Sequence, residues 1–190
     1  MKTTNERVPQ VYIIRGHGKK YDTNVNIMKR GIYVEKVPEL FQCFSPIVIQ
    51  TFAQGGITHV WATHELGPVP LYGDVFIFSR YREKYVIDFI GVSSGDKRCP
   101  EVARRVFLNS TGIWEYIFLL KPIELTHTEK EEIGKTLYRL SWKYLNDPLR
   151  RWSCSEGIPL SLFIGNLETK GTAMKIVRES TMIREKLKHY

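Results

Sequence analysis

The chain has 190 residues, of which 43% are hydrophobic and 25% charged, with a net charge of +8. This balance predicts one folded domain, with or without an appendage, and favours an anionic partner, although many basic proteins bind no anion. Three widely spaced cysteines indicate neither a disulfide framework nor a zinc ribbon, and neither a signal peptide nor a membrane span is recognised, so a reducing, cytoplasmic location is expected.

The N-terminal part is predicted to hold a strand, a loop and a short helix. Residues 11–14 are β-branched and aromatic, which favours a strand. Residues 16–24 read GHGKKYDTN and predict a flexible, basic loop. Thr23 or Asn24 is then expected to cap a short helix that Gly31 ends.

The next part of the chain has a less regular pattern. Residues 32–34 are a candidate strand, and residues 38–44 a candidate helix. Pro46 breaks any long helix and leaves residues 47–52 undecided. Residues 58–63 are predicted to be a strand.

Residues 71–95, LYGDVFIFSRYREKYVIDFIGVSSG, predict the hairpin around which the chain is organised. Two apolar runs, 75–78 and 86–92, are separated by a charged turn, which is typical of two strands buried on both faces. A helix is expected to begin at Pro100, and residues 113–125 are predicted to form the last strand of the core.

The last third of the chain has a helical pattern. Thr128 and Glu131 have capping-box spacing before one long helix, and Gly171 precedes another. The predicted division is therefore a core over residues 1–126 and a helical extension over residues 127–190. The extension is expected to pack on the core or to lead to a further domain.

Four stretches carry a family resemblance through their order and spacing: VYIIRG at 11–16, HVWAT at 59–63, the hairpin at 71–95 and IWEYIFLLKPIEL at 113–125. Together they resemble the PUA-like superfamily, especially its EVE and YTH branches. The resemblance implies an α+β fold with a twisted, partly closed sheet and peripheral helices. It also implies nucleic acid as the partner, as for the N-terminal DNA-recognition domains of McrB-type modification-dependent restriction proteins, which work with motor and nuclease subunits.

The resemblance further implies an aromatic pocket for an extruded base. Trp61 lies where the family has a pocket Trp, although a Trp in a strand more commonly fills the core. Asn24 lies where the family contacts the base edge, with helix capping as its alternative role. Residues 93–112 match a loop that supplies a second aromatic in YTH proteins, and they contain no Trp. The candidate pocket residues are Trp61, Tyr33, Asp22, Asn24, Ser79 and Phe107.

Cations beside the proposed pocket are candidates for phosphate contacts. Acidic residues interleave with them, so they form no continuous basic tract, and each alone is typical of a solvated surface. The candidates are Arg15, Lys19, Lys20, Arg80, Arg82, Lys97, Arg98, Arg104 and Arg105.

No catalytic motif and no metal-binding histidine spacing is recognised. We therefore expect a non-catalytic module, without cofactor or metal, that binds DNA carrying N6-methyladenine or a modified cytosine and flips that base into its pocket. The alternatives are an RNA-binding YTH-like or PUA-like reader, an ASCH-like enzyme acting on nucleic acid, and a protein-interaction domain that uses the helical tail.

Overall fold

One seven-stranded sheet organises the molecule. The computed structural model describes residues 7–16, 18–63, 70–81, 84–107, 114–145 and 157–190, and the side chains of all of these except 81, 144 and 145. The strands are β1 (Gln10–Arg15), β2 (Ile32–Tyr33), β3 (Ile57–Thr63), β4 (Tyr72–Tyr81), β5 (Tyr85–Arg98), β6 (Tyr116–Pro122) and β7 (Ile158–Pro159).

The strand order is β2-β3-β6-β5-β4-β1-β7. Strand β1 runs parallel to β4, and every other neighbouring pair is antiparallel. The helices are α1 (Gly18–Arg30), α2 (Leu40–Cys43), α3 (Pro46–Phe52), α4 (Pro100–Val106), α5 (His127–Leu145), α6 (Leu160–Gly165) and α7 (Lys170–Leu187), with a short 3-10 helix at Val34–Lys36. Among the described residues, no helix has both the length and the apolar character needed to span a bilayer.

The predicted central hairpin is present as β4 and β5. Residues 73–79 of β4 are all buried, because α7 packs on this strand and aromatic rings cover the opposite face. Asp88 is an extra residue in β5, since Phe78 pairs with Phe89 and Ser79 pairs with Ile87. The bulge turns Asp88 out of the regular alternation of the strand.

The sheet is open but curls strongly. Trp61 on β3 lies edge-on to Phe78 on β4, with 4.8 Å between ring centroids, although β6 and β5 separate these strands in the sheet. Such a contact requires the face that carries both rings to be concave. The predicted α+β fold with a twisted, partly closed sheet and peripheral helices is therefore confirmed.

The Gly73-Asp74 pair fixes the start of β4. Asp74 is fully buried and accepts hydrogen bonds from the backbone N–H groups of Gln10 (2.9 Å) and Leu71 (2.8 Å), and it pairs with Arg7. Gly73 has a φ of 88°, and its carbonyl accepts a hydrogen bond from Ser180 Oγ at 2.6 Å. This pair therefore joins β4 both to the segment before β1 and to α7.

The predicted start of the first helix is wrong. Helix α1 begins at Gly18, so Asn24 lies inside the helix and is not its cap. Glycine-rich GHGKKYDTN favours a loop by local propensity, but Tyr21 packs into the fold and anchors the first turn. The basic side chains expected in a loop therefore project from a helix.

One undecided stretch is settled, and two other predictions are corrected in detail. Residues 47–52, left undecided, belong to α3. The capping box of α5 is formed by Thr126 and Glu129, two residues before the predicted pair. Strand β5 continues to Arg98 and replaces the start of the predicted loop.

The cysteine spacing did not indicate a disulfide, but Cys43 and Cys99 form one, with 6.1 Å between their Cα atoms. Cys43 is the last residue of α2, and Cys99 immediately precedes α4. Residues 56 positions apart in the sequence are thus joined by the fold.

The C-terminal elements contact the sheet directly. Helix α5 packs on β5, and α7 packs on β4. Strand β7 extends the sheet by pairing with β1. The domain division at residues 126 and 127 stays a prediction.

Candidate nucleic-acid interface

A cavity of about 370 Å³ opens at one end of the curled sheet. Its walls come from the end of β1, the first two turns of α1, strand β3 and the segment before β6. Strands β1 and β3 are not neighbours, so the curl of the sheet creates the cavity. The volume is within the range of small-ligand pockets. The lining residues are Ile14, Arg15, Gly16, Lys20, Tyr21, Asn24, Trp61 and Trp114.

Trp61 and Trp114 form two adjoining walls. Their ring centroids are 6.1 Å apart, and their planes are inclined by 35°. A base held between two parallel rings needs about 7 Å between them, twice a normal contact distance. The two indoles are therefore too close together to enclose a base between parallel rings.

Trp61 belongs both to the core and to the cavity. Only 7% of its surface is exposed, and it packs edge-on against Phe78 and Phe107. The two roles proposed for this residue from the sequence are therefore compatible. Phe107 also contacts Trp114, with 5.3 Å between ring centroids, so it supports both indoles.

Trp114 was not among the predicted site residues. The sequence assigned it to the last core strand, but β6 begins only at Tyr116. Backbone hydrogen bonds hold the segment before β6, since Glu115 N donates to Thr63 O (3.2 Å) and Cys99 N donates to Glu115 O (2.6 Å). The sequence did contain a signal for Trp114, because this residue lies two positions after the 93–112 loop, which matches the loop that supplies a second aromatic in YTH proteins.

Asn24 supplies a polar group to the cavity. Asn24 is 7% exposed, and its carboxamide has no hydrogen-bond partner in the described part of the chain. A carboxamide offers both a donor and an acceptor. Asn24 is not a helix cap, and base-edge contact, the other role considered for it, stays a prediction.

Tyr21 forms a further wall and is held from two sides. Its ring packs against Gly16, where any added Cβ would overlap it. Its hydroxyl donates to Asp88 Oδ2 at 3.3 Å, and Asp88 also binds Arg80 through two hydrogen bonds of 2.7 and 3.0 Å. Burial, reinforced by the charge of Asp88, raises the pKa of Tyr21 above its ordinary value, so the phenol remains neutral.

The predicted phosphate-binding residues divide by position. Of those within the described ranges, Arg15 and Lys20 line the cavity. Arg80 is bound to Asp88, whereas Arg98 and Arg105 pair with Glu115 (3.1 Å) and Glu39 (2.6 Å) away from it. Lys19, Lys97 and Arg104 are exposed, and Arg82 lies outside the described residues.

Four predicted pocket residues do not line the cavity. Tyr33 is 50% exposed on the edge strand β2, beneath the ammonium group of Lys36. Asp22 is 4.0 Å from Arg80 outside the cavity. The other two, Ser79 and Phe107, are buried.

Strand order and strand alternation explain why two of these residues, Tyr33 and Ser79, lie away from the cavity. Tyr33 is separated from the cavity because β2 lies beyond β3 at the sheet edge. Ser79 is adjacent in β4 to Phe78, whose ring faces the concave side, and strand alternation turns Ser79 to the other side.

Within the described ranges, no group of three or more His, Cys, Asp or Glu residues is placed to hold a metal.

A scan against protein-family models and a search of curated proteins find no match. A search of solved structures finds similarity to the N-terminal domain of Thermococcus gammatolerans McrB bound to m5C DNA. The identity is 18% and the TM-score 0.49, and the match covers 67% of this chain and 82% of that chain. This domain is of the kind that the four sequence stretches resemble.

Proposed function

We propose that this chain is a non-catalytic DNA-binding module that takes an extruded, modified base into the cavity between Trp61, Trp114 and Asn24. One observation carries the proposal. A single cavity combines two indole walls with the carboxamide of Asn24, for which no hydrogen-bond partner is found among the described residues.

Each part of the cavity matches one requirement of base recognition. An indole face stacks on any base, so it provides affinity with little sequence preference. A carboxamide forms hydrogen bonds with a base edge and so provides discrimination. Because the indoles meet at an angle, a base stacked on one presents its edge, with any methyl group, to the other. Both N6-methyladenine and a methylated cytosine carry a methyl group at such an edge.

Arg15 and Lys20 suit the backbone on either side of the extruded base. Phosphate contacts of this kind position a nucleic acid without reading its sequence. We assign the same role to any further exposed cations that lie along the bound strand. In a modification-dependent restriction system, this module would select the DNA on which motor and nuclease subunits act.

Competition binding tests the proposal directly. Duplexes identical except for adenine, N6-methyladenine, cytosine or 5-methylcytosine at one position compete for the wild-type chain, with RNA of the same sequence as a further competitor. We expect one modified duplex to compete best and 2-aminopurine at the target position to brighten as it leaves the stack. Equal affinity for modified and unmodified duplexes would exclude the reader. Preference for RNA would favour the RNA alternative, and chemical change in the oligonucleotide would favour an enzyme.

Trp114→Ala provides the matched test of the cavity, with Tyr33→Ala as the aromatic control outside it. Loss of one base stack costs about 1 to 3 kcal/mol, a factor of about 5 to 160 in affinity. We expect Trp114→Ala to lose this affinity for the modified duplex and most of its preference. Tyr33→Ala should bind as the wild type does. Loss of affinity in Tyr33→Ala but not in Trp114→Ala would place the pocket at β2 instead.

A further inference from the structure

A second cavity, of about 500 Å³, lies between the start of β5 and helix α5. We call it the β5-α5 groove. It lies on the face of the sheet that α5 covers. The cavity lined by Trp61 and Trp114, which we call the Trp cavity, opens on the concave face. Gly134 brings the helix close to the strand, because a Cβ there would meet the carbonyl oxygen of Tyr85 at 2.5 Å.

The rim of the groove is cationic. Lys84, Lys130 and Lys135 line it, and among the described residues none of the three has an ion-pair partner. Two carboxylates also line the groove, Glu168 beside Arg139 and Glu131 beside His127, and the second contact is an ion pair only when His127 is protonated. Arg139 lies 2.6 Å from Glu168, and His127 lies 3.6 Å from Glu131.

The walls of the groove are largely apolar. Val86, Ile87 and Tyr138 contribute to them, and the Tyr138 ring is partly exposed. An exposed phenol ring beside unpaired cations suits a nucleotide, whose base stacks on an aromatic face while its phosphate meets the cations. A ligand that was only anionic would leave these walls in contact with water.

The groove and the Trp cavity lie at the same end of the sheet. Arg15 of β1 pairs in register with Ser79 of β4, and Tyr81 pairs with Tyr85 at the turn into β5. Arg15 lines the Trp cavity, and Tyr85 lines the groove. One strand of nucleic acid can therefore cross this end from one cavity to the other.

The geometry points to a second nucleotide-binding site in the β5-α5 groove. It would hold an unpaired nucleotide of the bound strand, with the base against Tyr138 and the phosphates among Lys84, Lys130 and Lys135. This inference rests on the proposed function only in taking nucleic acid as the partner, and it requires no modified base.

The test compares two double variants. Lys130→Ala with Lys135→Ala removes two groove cations, and Lys29→Ala with Lys186→Ala removes two exposed helical lysines that line neither cavity. The probe is unmodified single-stranded oligothymidine, titrated at several salt concentrations. We expect the groove variant to bind more weakly, with a salt slope shallower by about 0.7 per lost phosphate contact. The affinity and the salt slope of the control variant should be closer to those of the wild type.

A second readout locates the base. In the wild type, oligothymidine with one 5-iodouracil should cross-link to Tyr138 on irradiation, and Tyr138→Ala should lose that cross-link. A groove variant that matches the charge control in affinity and salt slope would overturn the inference, as would cross-linking to other residues alone or binding of an acidic peptide in place of the oligonucleotide.

The two proposals fail in different experiments. If Trp114→Ala keeps full preference for modified duplexes while the groove variant loses oligothymidine, the Trp cavity is not the reader and the groove stands. If Trp114→Ala loses that preference while the groove variant binds as the charge control does, the groove is not a site and the proposed function stands.

Discussion

Trp61 and Trp114 both line the cavity, but they are embedded to different depths. Trp61 is almost entirely buried among Phe78 and Phe107, whereas Trp114 is partly exposed. Removal of a side chain from a packed aromatic cluster costs its buried contacts in addition to any ligand contact. Single-residue effects at this site therefore require a measurement of folding beside each measurement of binding.

For Trp61→Ala, we predict a loss of about 3 to 5 kcal/mol in the free energy of unfolding, because a large core cavity is left. Trp114→Ala should lose less stability. Urea denaturation of the two variants checks this difference. A Trp61→Ala variant as stable as the wild type would show that the aromatic cluster does not depend on this ring.

For Asn24→Ala, we predict that discrimination between bases falls by about 1 to 3 kcal/mol if the carboxamide makes a well-formed edge contact. Stability should not fall, because alanine is the better residue inside a helix, by up to about 0.7 kcal/mol. Asn26→Ala is the control, since Asn26 is exposed on the same helix and does not line the cavity. Unchanged discrimination in Asn24→Ala would remove this residue from the site.

At the scale of elements, helix α7 depends on a residue of α5. Glu132 accepts hydrogen bonds from Thr169 N (2.6 Å) and Thr172 Oγ1 (2.8 Å), so it caps the start of α7. Burial acts to raise the pKa of Glu132, but these hydrogen bonds outweigh it, and the pKa lies below its ordinary value. The carboxylate is thus more favourable in the folded chain than in the unfolded one.

For Glu132→Gln, we predict a loss of about 1 to 2 kcal/mol at neutral pH, typical of a lost helix cap. Because the folded pKa is depressed, the contribution is complete above the unfolded pKa of about 4.3 and disappears as the pH falls through the lower folded value. Melting curves between pH 7 and pH 3 should therefore converge for the wild type and the variant. A constant difference across that range would contradict the assigned cap.

The disulfide between Cys43 and Cys99 joins two elements that support the cavity. It links α2 to the start of α4, and α4 ends beside Phe107, which contacts both cavity indoles. Arg105 of α4 also pairs with Glu39, immediately before α2. These two links hold α4 in place from the same side.

For reduction of this disulfide, we predict a loss of about 2 to 4 kcal/mol of stability, since a crosslink over a long loop restricts the unfolded chain. Melting with and without a dithiol reductant measures the effect. The Cys43→Ala, Cys99→Ala double variant should melt at the lower temperature and be insensitive to the reductant. Equal melting temperatures of the oxidised and reduced wild type would contradict the prediction.

At the scale of the whole molecule, the net charge of +8 is unevenly available to a ligand. Arg98 and Arg105 lie away from the Trp cavity, and Arg15 and Lys20 line it. Long-range attraction acts on the total charge, but phosphate contact depends on local position. The position of a cation in the fold therefore predicts phosphate contact better than its place in a basic stretch of sequence does.

For Arg15→Gln with Lys20→Gln, we predict weaker binding to all duplexes and a salt slope shallower by about 0.9 per lost phosphate contact. Arg104→Ala with Arg105→Ala should change the slope less, because Arg105 is paired with Glu39 and neither residue lines the cavity. Titrations at several salt concentrations compare the two variants. A larger effect from the Arg104 and Arg105 variant would place the backbone along α4 instead.

The sequence by itself predicted β1, β3, the central hairpin, β6 and the two long C-terminal helices, because apolar periodicity and turn residues act locally, whereas β7 was not predicted. The family resemblance pointed to Trp61, and the fold places it in the cavity wall. Phe107, also predicted for the pocket, packs against both indoles but does not line the cavity. These features depend on short stretches whose character is visible without the rest of the chain.

Only the tertiary structure decided which distant residues meet. The curl of the sheet brings the end of β1 to Trp61 and Trp114, and packing of Tyr21 extends α1 through a stretch whose glycines favour a loop. The same packing converts Asn24 from a predicted cap into a buried cavity residue. Sheet curvature and helix docking result from many nonlocal contacts, each of which favours the final arrangement only weakly. A local pattern therefore cannot specify them, although it specifies the elements that they assemble.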